Sequence, residues 1–406
     1  VNHLPEQADH PICFTNHTRR SFTDQMGRAG EAYRNAVYAG HSGKKVEMDA
    51  SLICQFLIMT LDFIDQSIDV NQREDGLYHA YNLVKFDKGT ITISHLYEML
   101  EGQVAVLSSR RLDAEQAVAL LDAMRQSALY REDQRSYMLY PARKRASFLD
   151  MNNLPADAVQ LPIVQRLLAN NATDILTQDC QGGVHFSADF NNADFLLRAI
   201  QRSALQITEE ETQQLLDLYE QLFNHHAFTG RSGTFYKYEG LGCIYWHMVS
   251  KLLLAVGECI GNIGILTPEA GQTALERLRA HYHAIREGIG SHKTPAEYGS
   301  FPFDAYSHTP SMAGVQQPGM TGQVKEDIIS RFFELGVQVQ DGQITFCPTM
   351  LTDADFSDGE LRFSYCGTEI IYRKTANGTG SVTLTPEQSK HIFARDGEIK
   401  QLIIEL

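Results

Sequence analysis

The sequence predicts a mainly α protein: an α/α-hairpin toroid with an incomplete set of hairpins, followed by a small C-terminal antiparallel β-sandwich module. Three observations predict it. Apolar residues recur at three-and-four spacing through most of the chain before Gly336. After Gly336 the period changes to two. Paired helical stretches joined by long aromatic connections suit a toroid better than a compact four-helix bundle. The expected divisions are an N-terminal segment over 1–45, a toroid-like domain over 46–335 and a β module over 336–406.

The first forty-odd residues have mixed character, with a short helix expected over Phe22–Tyr38. Met48–Ile68 carries apolar residues at 52, 53, 56, 57, 61 and 64, the pattern of a core-facing helix, with Asp49 as its cap. Leu83–Phe86 and Thr90–Ser94 flank Lys88-Gly89 and read as a hairpin. Helical patterns resume at His95–Ser108 and at Asp113–Ala128, where Asp113 is placed to cap. Tyr130–Val184 is irregular, punctuated by Pro141, Pro155 and Pro162, with one helix over Leu161–Asn170. Further helices are expected at Asn192–Arg202, Thr208–Asn224, Leu241–Cys259, Thr267–Gly288 and Gln323–Leu335. Thr208 through Glu211 forms a capping box, and Pro268 sits at a first helical position. Beyond Gly336, strands are expected at Val337–Val339, Ile344–Phe346, Leu361–Tyr365, Glu369–Arg373, Ser381–Leu384 and Ile399–Glu405. Asp341-Gly342 and Asn377-Gly378 mark hairpin turns.

Composition narrows the function classes. The 406 residues carry a net charge of −15, which disfavours a nucleic-acid partner, since phosphate contacts need clustered Lys and Arg. No uninterrupted apolar run approaches the roughly 18–20 residues that span a bilayer, so the chain is expected to be soluble and Leu52–Ile64 a buried helix. Cytoplasm and periplasm are not distinguished. The seven cysteines are scattered without a C-x-x-C pair, the pattern of buried free thiols. No H-E-x-x-H or other metal-ligand spacing occurs, and a G-x-S-x-G elbow is absent. Neither a metal nor a cofactor is expected.

Three long connections are the candidate site builders. The first runs from Thr229 to Gly242 into Ile244–His247. Its glycines permit close backbone approach to a ligand, Arg231 and Lys237 offer donors, and Tyr236, Tyr238 and Trp246 offer flat faces. Glu239 precedes a helix N-terminus, which favours its ionised form; it reads equally well as a simple cap. The second, Lys293–Gly322, collects Glu297, Asp304, His308, Gln316, Gln317 and the aromatics Tyr298, Phe301, Phe303 and Tyr306. Carboxylates and amides read sugar hydroxyls while aromatics stack on the C–H face. Thr321-Gly322 opens a helix, where backbone N–H groups can take an anion such as phosphate. The alternative is an ordered lid without chemistry. The third, Arg73–Asn82, contributes Asp75, with Glu98 and Glu101 on one face of the next helix; a turn and a solvated acidic stripe are the plainer reading.

Taken together, the helical toroid, the Thr-Pro-Ala-Glu-Tyr loop at 294–298, the Pro-Gly-Met-Thr-Gly turn at 318–322 and the terminal β module resemble the inverting disaccharide phosphorylases and related six-hairpin glycosidases. The runs 230–255 and 316–335 also resemble those of large bacterial proteins of glycosidase architecture. The Asp-Trp-Asn-Asp-Gly motif of the cellobiose-type phosphorylases is absent, and the single tryptophan is Trp246. The resemblance implies cleavage of a glycosidic bond with inversion, by water or phosphate, on a disaccharide or oligosaccharide. Phosphate is then the one co-substrate. Glu239 and Glu297 are the first-choice carboxylates, with Asp75 and Asp304 next; Arg231, Lys237, Tyr238, Trp246, Tyr298, His308, Gln316, Gln317 and Thr321 would position sugar or phosphate. Two other readings stay open: a polysaccharide lyase on a similar toroid, using a Tyr or His base, and a non-catalytic glycan-binding fragment. Too few helices are present for six hairpins, and an upstream part of the same polypeptide is the expected place for the missing ones.

Overall fold

A computed structural model gives the fold. It describes residues 14–40, 42–142, 148–223, 242–266, 272–290, 293–300, 306–310, 314–318, 322–375 and 380–406. The chain forms two compact units: residues 1–141 together with 242–406, and residues 142–241. The boundaries between these two units fall at 141/142 and 241/242.

The discontinuous unit begins with α1 (Asn16–Tyr38) and α2 (Ala50–Asp69), followed by the hairpin β1 (Leu83–Asp87) and β2 (Thr90–Ser94). Then come α3 (Leu100–Ser108) and α4 (Ala114–Gln126). Asp113 caps α4 as its sequence position implies, accepting from the Gln116 amide at 2.8 Å while the Gln116 side chain returns a bond. A short ladder of β3 (Tyr130–Arg131) and β4 (Ser136–Tyr137) closes this half. The core is built across the chain break: Leu100, Leu107, Val118, Leu121 and Met124 pack with Trp246, Val249, Leu252, Leu278 and Tyr282 from the second half.

The excursion between the halves is a helical unit with its own core. Its elements are α5 (Phe148–Met151), α6 (Ala156–Val159), α7 (Pro162–Ala169), the hairpin β5 (Leu176–Gln178) and β6 (Val184–Phe186), α8 (Ala193–Arg202) and α9 (Glu209–Phe223). Val164, Leu167, Leu176, Phe186, Leu196, Leu215 and Tyr219 fill the interior. Buried Asn152 exchanges two hydrogen bonds with the Phe186 backbone, 2.8 and 2.9 Å, which pins the first turn to β6. The chain leaves and re-enters the larger unit at adjacent points: the Leu139 amide donates to the Cys243 carbonyl at 2.9 Å, and the Gly242 amide to the Tyr140 carbonyl at 3.0 Å.

After the return come β7 (Ile244–Tyr245), α10 (Trp246–Leu266), α11 (Gln272–Gly288), the single-turn α12 (Pro295–Tyr298), β8 (Tyr306–Thr309), β9 (Gln316–Pro318) and α13 (Gly322–Glu334). Gly336 ends α13 with φ +68°, and a Cβ there would lie 2.1 Å from the Cys347 carbonyl carbon, so only glycine fits this exit.

The C-terminal module departs from a purely antiparallel sandwich. One sheet orders β10 (Val337–Gln340), β11 (Gln343–Phe346) and β14 (Val382–Thr383), all antiparallel. The other orders β12 (Glu360–Tyr365), β13 (Thr368–Arg373) and β15 (Gln401–Glu405), and β13 pairs β15 in parallel. A parallel pair needs a crossover, supplied here by β14 and the unforeseen α14 (Pro386–Ala394), which is capped by Thr385. The module has its own core of Ile344, Phe346, Ile370, Tyr372 and Ile404. The Tyr372 hydroxyl nevertheless donates to the Leu335 carbonyl at the end of α13, which ties module to helix.

Two further expectations are corrected. α2 is not a buried helix: it holds no buried residue, and by length and composition it is apolar enough to cross a membrane. Its polar residues, including Asp62 and Asp65, interrupt the apolar run in sequence without lowering its mean hydropathy enough. Nor are all the thiols buried; Cys54 and Cys180 are exposed, while Cys243 and Cys259 are buried.

Candidate functional site

Two of the three connections singled out from sequence meet in one small sheet. β7 pairs with β8 through Ile244↔Thr309 and Tyr245↔His308, and β8 pairs with β9 through His308↔Gln316 and Tyr306↔Pro318. The sheet stands at the start of α10 and sets Tyr245, His308 and Gln316 in one row. The Tyr245 ring stacks on His308 at 4.9 Å with an interplanar angle of 11°.

Behind this row lies a polar chain that sequence reasoning missed. The Tyr245 hydroxyl is 3.2 Å from His247 Nδ1, and His247 Nε2 is 3.4 Å from Glu326 Oε1. The Glu326 side chain is 5% exposed, and its Oε2 has no hydrogen-bond partner. One residue on, Asp327 accepts from the Ser250 hydroxyl at 3.3 Å, and burial pushes its pKa up. Glu334 receives Arg286 at 2.9 Å and Tyr282 at 3.0 Å. α13 is thus an inverted amphipathic helix: Gln323, Glu326, Ser330 and Glu334 are buried while Ile328 and Ile329 are exposed. The signal was available, because polar residues spaced three, four and four apart occupy one helix face.

Two of the aromatics expected to offer flat faces, Trp246 and Tyr298, are core residues. Trp246 is 0% exposed, donates its indole N–H to Thr309 Oγ1 at 2.7 Å, and lies edge-on to Tyr298, itself 1% exposed. Both rings pack the core and offer no face to a sugar. Buried Lys293 sits over the indole, 4.8 Å from its centroid, and donates to Gln134 Oε1 at 3.0 Å. Its burial lowers its pKa to about 8.

Glu297 lies on α12 beside this cluster, but its carboxylate closes a capping box, accepting from the Thr294 amide and hydroxyl, each at 2.9 Å. These bonds, with Arg135 at 3.5 Å, hold its pKa down. Asp75 is held ionised too, by Arg73 at 2.7 Å and by the Leu77 amide at 3.1 Å. Asp75 lines a separate open hollow of about 550 Å³ with Glu98, Asp122 and Gln126; Glu297 and the β7–β9 row take no part in it. The structure therefore gathers Trp246, Tyr298, His308, Gln316 and Glu297 near α10, and leaves Asp75 apart. Glu239, Arg231, Lys237, Tyr238, Asp304 and Thr321 lie outside the described residues, as does the side chain of Gln317, whose backbone runs in β9. Among the described residues no group of three or more His, Cys, Asp or Glu could hold a metal ion.

Comparison with known families yields one finding. Residues 145–226 match the model of the GH149 phosphorylase insertion domain 2. The match falls within the unit at 142–241, so a separately folded body and a separately recognised family segment coincide. No curated protein matches the chain. The matched segment is phosphorylase-like and carbohydrate-related; the rest of the chain is read through its own chemistry.

Proposed function

We propose that the chain belongs to a carbohydrate-active enzyme of the glycoside-phosphorylase type, cleaving a glycosidic bond with inversion by phosphate or by water. The observation that carries this reading is the phosphorylase insertion domain at residues 145–226. The β7–β9 row supports it, since a phenol, an imidazole and an exposed amide side by side suit the hydroxyls of a sugar ring. The start of α13, at Gly322, is where a phosphate would meet the first backbone N–H groups of a helix.

In such a reaction one protonated carboxyl gives its proton to the leaving oxygen while the nucleophile attacks the opposite face of the sugar. Glu297 and Asp75, whose pKa values are held down by their partners, suit the base of a hydrolytic variant. Glu239, and after it Asp304, remain the candidate carboxylates for the other role; among the described carboxyls, burial raises the pKa of Asp327. The helices of the larger unit are proposed to form part of an α/α toroid completed by further polypeptide.

The test is a panel of disaccharides and oligosaccharides incubated with and without inorganic phosphate, with products resolved by nuclear magnetic resonance. Phosphate-dependent release of a sugar 1-phosphate of inverted configuration is the expected result. Turnover unaffected by phosphate would mean hydrolysis, and an unsaturated, ultraviolet-absorbing product would move the chain to the lyases. Glycan binding without any turnover would sink the catalytic reading altogether.

A further inference from the structure

We propose, on the reading of the β7–β9 row as the sugar site, that His247 and Glu326 are positioning residues that fix which way the Tyr245 hydroxyl points its proton. The proton is turned inward, so Tyr245 meets a sugar only as a hydrogen-bond acceptor and selects a ring position that carries a free hydroxyl.

Tyr245 ends β7, and His247 lies two residues on in the first turn of α10. Their rings meet edge to face, centroids 5.6 Å apart at 78°, while the phenol also stacks on His308. Held by two rings, the hydroxyl stands 3.2 Å from His247 Nδ1. The other ring nitrogen, Nε2, is buried without a hydrogen-bond partner among the described residues, and it faces Glu326 Oε1 at 3.4 Å. Glu326 is itself buried, and its second oxygen has no partner among those residues. A carboxylate so placed is costly to bury, and here its field falls on one imidazole nitrogen.

A neutral imidazole carries one proton, and its surroundings choose the nitrogen. A proton on Nε2 points at the carboxylate. A proton on Nδ1 would instead set the Nε2 lone pair against that carboxylate, a repulsion that burial enlarges. A doubly protonated ring is not called for, because Lys325 Nζ lies 3.4 Å from the same Glu326 oxygen and supplies a cation. The neighbouring carboxyl, Asp327, is engaged by Ser250. Nδ1 is therefore the acceptor, and Tyr245 gives it the one proton that a phenol has. Whatever else touches the Tyr245 oxygen must donate to it. A sugar hydroxyl can; a glycosidic oxygen or a fully ionised phosphate cannot.

The chain alone gives the first test. In long-range proton–nitrogen spectra at neutral pH, with His247 assigned by its loss in His247→Gln, Nε2 should carry the proton and Nδ1 none. A proton on Nδ1, or on both nitrogens, would overturn the proposal. Glu326→Gln is isosteric and offers Nε2 a donor as well as an acceptor, so the two averaged nitrogen signals should move toward each other. Unmoved signals would remove Glu326 from the chain. Binding is then measured with methyl glycosides of glucose, galactose and mannose, each beside its singly deoxygenated and singly deoxyfluorinated forms. Fluorine has no proton to donate, so at one ring position both analogues should lose affinity alike, by about tenfold. Tyr245→Phe, which keeps the ring on His308, should abolish that loss. A fluorinated form that matches its parent at every position would end the acceptor role. No binding by any glycoside, with His247 as expected, would sink the function proposed above and the sugar half of this inference, and leave the direction of the hydrogen bond standing.

Discussion

α2 and α10 are near twins in sequence terms, with 20 and 21 residues and mostly apolar composition. In the fold they are opposites. α10 places Trp246, Val249, Leu252, Leu253 and Val256 in the core at 0% exposure, whereas α2 buries nothing. Their polar residues show why. On α10, Ser250 reaches across to Asp327, and His247 to Glu326. On α2, Thr60 and Ser67 turn back to the Phe56 and Phe63 carbonyls at 2.8 and 2.7 Å, so these two hydroxyls need no partner on another element. Apolar composition makes a helix; it does not say what covers it.

The largest expected effect breaks or confirms this contrast directly. In urea unfolding at low protein concentration, Leu252→Ala should lose about 2–5 kcal/mol, whereas Leu57→Ala should stay within about 0.5 kcal/mol. Equal losses would mean that α2 is covered within the monomer. Next, Trp246→Phe should destabilise by about 1–3 kcal/mol, since it removes the indole donor from Thr309 and the electron-rich face beneath Lys293. Little or no loss would mean that the indole is not a core anchor. A smaller effect, about 1 kcal/mol, is expected for Asp113→Ala, which uncaps the well-packed α4. The matching Asp49→Ala on α2 should register mainly as faster amide exchange in its first turn, because nothing packed depends on that helix end.

The smallest effects are titrations, and they have opposite signs in the two units. His79 stacks on His95 at 3.9 Å, and burial followed by the His95 and Arg73 charges holds its pKa below 6.5. The unfolded chain then binds the proton more readily, so this contribution is present above pH 6.5 and lost as pH falls below it. His185, in the excursion, has its pKa raised by the Asn152 carbonyl and then by Asp179. Its contribution is complete below pH 6.5 and lost as pH rises through the elevated value. Thermal melts across this range should show His79→Gln flattening the acid limb and His185→Gln the alkaline limb; the reverse assignment would refute the sign of both.

Local signals were legible. Asp49 and Asp113 cap where a short polar residue precedes an apolar run, and the hairpin around Lys88-Gly89 forms where the sequence places it. What one sequence does not carry is partnership between distant residues. Trp246 and Tyr298 look like a sugar platform in a list of aromatics, yet the Thr309 hydroxyl, 63 positions from Trp246, draws the indole inward. Glu297 looks like a catalytic acid until Thr294, three residues before it, claims its carboxylate. The Thr294–Glu297 spacing was readable as a capping box; the burial of Glu326 and Asp327 was readable only as polar residues in an awkward helical phase. The parallel β13–β15 pair was hidden because residues 386–394 form a crossover helix to which the sequence reading assigned no element.

The bonds from Leu139 to Cys243 and from Gly242 to Tyr140 act as a clasp at the neck of the excursion. A hundred residues can be strung between Pro141 and Gly242 with little added strain, because the two ends of the gap already touch and closing a longer loop grows dearer only logarithmically. By the same token those residues are a cassette: a chain in which a tight turn joins 141 to 242 should still zip the same ladder, and the body it retains would report whether the proposed carbohydrate chemistry belongs to the host or to its guest.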